Sequence, residues 1–190
     1  MNKKIMITMV LFVAIILGQT TSVSAIEERG ERLTDDEIRE VLNVYHSVYN
    51  GSADDADYYS ANQDYISEKD IEEFKKMAYS PLTRSSSYNT YFNSTSWINR
   101  SGVISLSINF KISGLYPSNL PNANAAAAEK AWKILYNRHK NDSKWKNTKS
   151  MYVQFICHSS MVGKYKNPWN IEPHRTETSM VKTIAKGCNP

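Results

Sequence analysis

Cysteine, proline and glycine are all scarce in this 190-residue chain, at 2, 6 and 7 copies. Two cysteines are too few to frame a disulfide-built mini-protein. So little glycine and proline excludes a collagen-like or low-complexity chain. The tight Cys-x-x-Cys or His-x-x-x-His spacing of a tetrahedral zinc site is absent. No defined nucleic-acid motif occurs either. Long apolar runs are limited to one, near the N-terminus. What remains suffices for a core: 41% of residues are apolar, with 4 Trp and 12 Tyr, which argues against global disorder. The length suits one domain plus an appendage.

The apolar run reads as an address. Lys3 and Lys4 precede Ile5 to Leu17, a 13-residue stretch broken only by Thr8, and Val23-Ser24-Ala25 offers small residues at a cleavage site. A membrane span needs about 20 apolar residues, more than this run holds. Residues 1–25 are therefore expected to be a signal peptide cleaved after Ala25. The mature protein is expected to be secreted, extracellular and not membrane-spanning.

Export sets the reading of Cys157 and Cys188. An oxidising exterior favours their pairing, and a loop of that length would contribute about 3.6 kcal/mol in the chain-entropy model. Two readings compete. One is zinc held by Cys157, His158, His174 and Cys188, which the spacing rules disfavour. The other is a nucleophilic Cys157 beside His158, which would need Cys188 unpaired. Neither a metal nor a cofactor is expected.

Charge divides the mature chain. Ile26 to Asn89 carries 7 basic and 15 acidic residues, a net of −8, whereas Thr90 to Pro190 carries 14 and 4, a net of +10. Such asymmetry marks either an interacting pair of modules or two solvated faces of different sign. The acidic part, residues 26–79, reads as a helical hairpin. Thr34-Asp35-Asp36-Glu37 is a capping box. Ile38, Val41, Leu42, Tyr45, Val48 and Tyr49 then recur at helical spacing up to Asn50-Gly51. Ser67 to Asp70 starts a second helix with Ile71, Phe74 and Met77. Between them, Asp54, Asp55 and Asp57 fail the calcium-loop pattern, because Asn62 falls where the central glycine belongs. Residues 80–90 read as a linker that turns into an aromatic first strand near Tyr88 to Tyr91. Asn-x-Ser/Thr sites at Asn50, Asn93, Asn99 and Asn141 matter only in a glycosylating pathway.

Residues 91–190 read as a basic α+β domain. Ile104, Leu106, Ile108 and Phe110 alternate with polar residues, as in a strand with one buried face. Ala125 to Lys140 reads as a helix. Met151, Val153, Phe155 and Cys157 alternate as in a second strand. Pro168 to Pro173 reads as extended, and Thr176 as the cap of a last helix closed by Gly187.

These residues carry a resemblance. Met151-x-x-Gln154-Phe155-x-Cys157-His158, Trp169-Asn170-x-Glu172-Pro173-x-Arg175 and Cys188-Asn189-Pro190, with Trp97 and the Ala128 to Trp132 helix, resemble the domain of unknown function 2599 family of secreted bacterial proteins. The resemblance covers the C-terminal half, from about Tyr91. It brings no established activity and no catalytic residue. His174 and Thr176 stand where the family pattern has Trp and Pro.

Two functional classes follow. The candidate catalytic residues are His158, Glu172, His174 and Arg175: an acid/base pair with a cation for a developing anion, which in a basic domain suits a small nuclease-like secreted hydrolase or toxin. The same residues, with Gln154 and Asn170, equally read as a buried structural network. There Glu172 pairs with Arg175 and His158 donates to a backbone carbonyl. The other class is a non-catalytic binding module, for which Lys130, Lys133, Lys140, Lys144, Lys146 and Lys149 supply charge and Trp145 an amphipathic anchor. Its expected partner is an anionic polymer, a membrane surface or a protein.

Overall fold

Thr34 opens the first helix by the box its sequence spells. Its Oγ1 accepts from the Glu37 amide (3.3 Å), and the Glu37 carboxylate accepts from the Thr34 amide (2.9 Å). Helix α1 runs Asp35–Tyr49 and buries Ile38, Val41, Leu42 and Tyr45. Ser67 and Asp70 form the same reciprocal cap at the start of α2, Glu68–Ala78, which buries Ile71 and Phe74. The computed structural model describes residues 32–49, 66–80 and 87–190. The expected signal peptide, the acidic turn around Asp54 to Asp57 and most of the linker lie outside the described residues.

After Ser87 comes one helical turn, α3 (Tyr88–Tyr91), and then strand β1 (Phe92–Arg100). The expected aromatic strand thus begins at Phe92 rather than at Tyr88. β1 pairs antiparallel with β2 (Val103–Phe110), and β2 with β3 (Trp169–Ile171), in the order β1-β2-β3. The register sets Trp97 opposite Leu106 and Thr95 opposite Ile108, while Ile171 and Trp169 face the same two β2 residues from the other side. One sheet face is therefore apolar, as the alternation predicts.

Helices cover that face. A short α4 (Ile112–Leu115) leads into the central α5 (Pro121–His139), which starts on Pro121 in its first turn. Next comes α6, Thr148–Cys157. This corrects the expected strand at Met151 to His158. The segment is buried nearly all round, with Met151, Val153, Gln154, Phe155, Ile156 and Cys157 all inside. A helix surrounded by protein shows no amphipathic period, and a short apolar run of this kind cannot be told from a strand by pattern alone. The last helix, α7 (Met180–Ala185), is capped by Ser179 rather than Thr176, through a bond from the Lys182 amide.

Leu33–Pro190 form one compact unit. A continuous core joins Ile38, Leu42 and Phe74 of the acidic helices to Ala128, Leu135, Phe155 and Trp169 of the basic half. Trp169 is its hub. The indole stacks on Phe110 at 4.0 Å between centroids, meets Phe155 edge-on and donates to the Gly163 carbonyl. Cys157 and Cys188 form a disulfide with Cα atoms 5.4 Å apart, which ties the end of α6 to the C-terminal turn. Among the described residues no cysteine is free.

Side-chain amides complete the sheet. Gln154 lies against β3 so that its Oε1 accepts from the Glu172 amide (2.8 Å) and its Nε2 donates to the Glu172 carbonyl (3.1 Å). Asn167 does the same for Phe110 at the end of β2. Asn189, with its nitrogen facing the strand, donates to the Asn170 carbonyl (3.1 Å).

Candidate functional site

Most of the polar candidates in and just after α6 and β3 lie together in the interior. His158 is 2% exposed, and its Nδ1 lies 2.8 Å from the Gln154 carbonyl, so that nitrogen carries the proton and donates. Burial pushes the imidazole down to about 4, against the smaller upward pull of the Gln154 carbonyl. Trp169 lies across the ring, 6.3 Å between centroids. Glu172 is buried too, and its Oε2 accepts from Arg175 Nε at 2.7 Å. A turn between the Glu172 carbonyl and the Arg175 amide makes that pairing possible across Pro173 and His174. His174 is exposed, with Nε2 3.8 Å from the same carboxylate oxygen. Asn170 is buried; its Oδ1 and the Ser105 Oγ have no hydrogen-bond partner among the described residues.

The lysines disperse. Lys130 donates to Ser80, and Lys133 reaches Glu129 (3.6 Å) and covers the Tyr79 ring at 4.1 Å, so both serve the seam between α2 and α5. Lys149 lies 3.8 Å from Glu37 of α1. Lys140 sits over Tyr136, while Lys144 and Lys146 are exposed in the turn after α5. Trp145 is not a free anchor. It is half-buried among Trp132, Tyr136 and His139, and its Nε1 donates to Thr148. That packing fixes the turn carrying Lys144 and Lys146.

The most open chemistry lies one turn beyond His158. Here α6 widens into a π-turn, His158–Val162, and Gly163 (φ 58°, ψ −148°) reverses the chain into a single 3-10 turn, Gly163–Tyr165. π-turns are rare and frequently found at functional sites, and the Gly163 conformation is essentially reserved for glycine. Beside this turn is a cleft of about 580 Å³. Tyr45 from α1 and Tyr116 after α4 form its floor. Ser159 Oγ donates to the Ile156 carbonyl, which leaves the oxygen to accept from Tyr45 at 2.7 Å, and Tyr116 donates to the Ser159 carbonyl at 2.7 Å. Burial pushes both phenols up, so they stay neutral. The mouth carries Tyr49 and Tyr165, 63% and 90% exposed.

A family model described as a protein of unknown function (DUF2599) matches residues 92–190. The chain belongs to that family. No curated protein and no solved structure matches the chain. The DUF2599 span starts on the first residue of β1 and contains the sheet, α5, α6, the π-turn and both cysteines. It omits α1, yet Tyr45 of α1 completes the floor of the cleft.

A second hollow, of about 710 Å³, lies between α2 and the start of α5. There Asn122 accepts from His46 Nε2 (2.7 Å) and donates to Asp70 (3.0 Å), and Glu73, Lys76 and Lys130 stand around it. Its charges offset one another, and its polar groups pin the hairpin to α5. Sequence reasoning missed both hollows and the buried Glu129, which burial pushes up and which accepts from Tyr152. Glycine followed by Lys164 and Tyr165 was the one local signal, and its meaning depends on the π-turn before it.

Proposed function

We propose that the protein is an exported, non-catalytic binding module whose partner is an anionic polymer. The observation that carries this is the exposed turn after α5, where Lys144 and Lys146 pair with no carboxylate among the described residues and the packed Trp145 between them holds both in place. Fixed cations on a rigid turn attract a polyanion without the ordering cost of a loose loop. Two uncompensated lysines within a basic half-chain suit a charged chain better than a compact small molecule. The hydrolase reading has less support: His158 is enclosed, spends Nδ1 on a backbone carbonyl and is kept neutral by burial.

Retention on dextran sulfate beads, with uncharged dextran as control, tests the reading. The protein should bind the sulfated matrix at low salt and elute as salt rises. Lys144→Glu with Lys146→Glu should elute much earlier at an unchanged melting temperature. If the double variant is held as strongly as the parent, the turn is not the binding surface. Hydrolytic turnover of any polyanion that is lost in His158→Gln would restore the enzyme reading.

A further inference from the structure

We infer that the cleft beside the π-turn is a separate binding site for a saccharide bearing an acidic group. At about 580 Å³ it is of ligand size. Its floor is apolar in effect, because the hydroxyls of Tyr45, Tyr116, Ser159 and Ser160 are already spent inside the protein. A bound molecule meets aromatic ring there rather than competing donors. Tyr49 and Tyr165 add exposed ring faces at the mouth. Among the described residues, side-chain amides and a hydroxyl are gathered along one wall, where Ser118, Asn119 and Asn124 line the cleft. The Asn124 amide oxygen is only loosely used, at 3.5 Å from the Ser118 amide, and its nitrogen remains available.

This division matches the surface of a pyranose ring. Such a ring presents two C–H faces that pack on aromatic rings and a belt of hydroxyls that needs amide and hydroxyl partners. A lipid tail would leave the amide wall unpaired. A polyproline segment also docks on aromatic grooves, but it does not call for three adjacent polar side chains. Lys164 supplies the remaining specificity. Among the described residues it is the one charged residue lining the cleft, it is exposed, and no described carboxylate lines the cleft beside it. A sugar carboxylate at the mouth is therefore favoured over a neutral group. The π-turn and Gly163 position this edge: the reversal at Gly163 carries Lys164 and Tyr165 to the rim.

The test is calorimetric titration of the whole protein with trigalacturonate, its neutral methyl ester, oligosaccharides containing N-acetylmuramic acid, and a proline-rich peptide of similar length. At least one acidic sugar should bind. Tyr49→Ala and Tyr165→Ala should each weaken it about tenfold or more, and both positions are exposed enough to leave the melting temperature unchanged. Lys164→Gln should remove the preference for acid over ester while leaving ester binding alone. Silence from every acidic sugar at millimolar concentration overturns the proposal. So does binding that neither tyrosine variant alters, equal binding of acid and ester by the parent, or binding of the peptide alone. Lys144→Glu with Lys146→Glu should leave this titration unchanged, so failure here and failure of the polymer reading are separate results.

Discussion

His158 is the side chain on which acid acts most directly. In the folded protein burial holds it down to about 4, and unfolding returns it to its ordinary value near 6.5. Between those two pH values the unfolded chain takes the extra proton, so stability is complete above the window, falls as pH drops through it, and loses nothing more from this group below it. The whole loss amounts to about 3 kcal/mol. Glu129 and Glu40, pushed up by burial, act in the opposite sense and lose their contribution as pH rises. The difference between parent and His158→Gln isolates the histidine: denaturant titrations should show the parent losing ground relative to the variant from pH 6.5 to 4. Glu172 makes a complementary case. It is buried, whereas the Arg175 side chain is 35% exposed and can reach water. Glu172→Gln should therefore lower stability by only about 1–2 kcal/mol, read as a lower melting temperature. A variant of parental stability would remove the structural role assigned to this pair.

Among the elements, those ruled by local chemistry were the legible ones. The caps at Thr34 and Ser67, the alternation from Ile104 to Phe110 and the long helix through Trp132 each follow from neighbouring residues. Helix α6 was not legible, because contacts on every side of Val153 and Ile156 erase the polar face that would mark a helix. The family resemblance, from about Tyr91, pointed to the stretch that the family model matches, residues 92–190, and the pairing of Glu172 with Arg175 was legible from the residues themselves, but neither pointed to the cleft. Tyr45, Tyr116 and Tyr165 meet only through tertiary packing, so no window of sequence contains the site. The π-turn itself makes a specific demand on Gly163. A β-carbon there would meet only the Tyr116 hydroxyl, at 3.8 Å, so space is available and the backbone is the obstacle. Gly163→Ala should cost about 1–3 kcal/mol, measured by denaturant midpoint, and should weaken ligand binding by shifting Lys164 and Tyr165. By contrast, a β-carbon at Gly114 would collide with the Thr90 carbonyl, and Gly114→Ala should be the more damaging change.

For the molecule as a whole, the acidic helices and the DUF2599 region share one interior. Ile38, Leu42 and Phe74 are fully buried, and the core that buries them includes Ala128 and Leu135 of α5. Attraction between oppositely charged surfaces fades beyond about 8 Å at physiological salt, so the apolar contact holds the two parts together. A fragment starting at residue 87 should expose that surface, bind a hydrophobic dye and melt without a sharp transition, whereas limited proteolysis of the intact protein should spare α1 and α2. Early cleavage within Asp35–Tyr49 would contradict a shared core. The amides along β3 have a further consequence, for how copies of the protein behave toward one another. A three-residue strand at the margin of a sheet offers spare backbone groups on which a second chain can extend the ladder, the first step toward aggregation. Gln154 and Asn189 already occupy the positions such a chain would take, at Glu172 and Asn170. Gln154→Leu leaves the Glu172 amide and carbonyl unpaired, and while β3 is still uncovered during refolding that margin should act as a template, seen as concentration-dependent growth in light scattering.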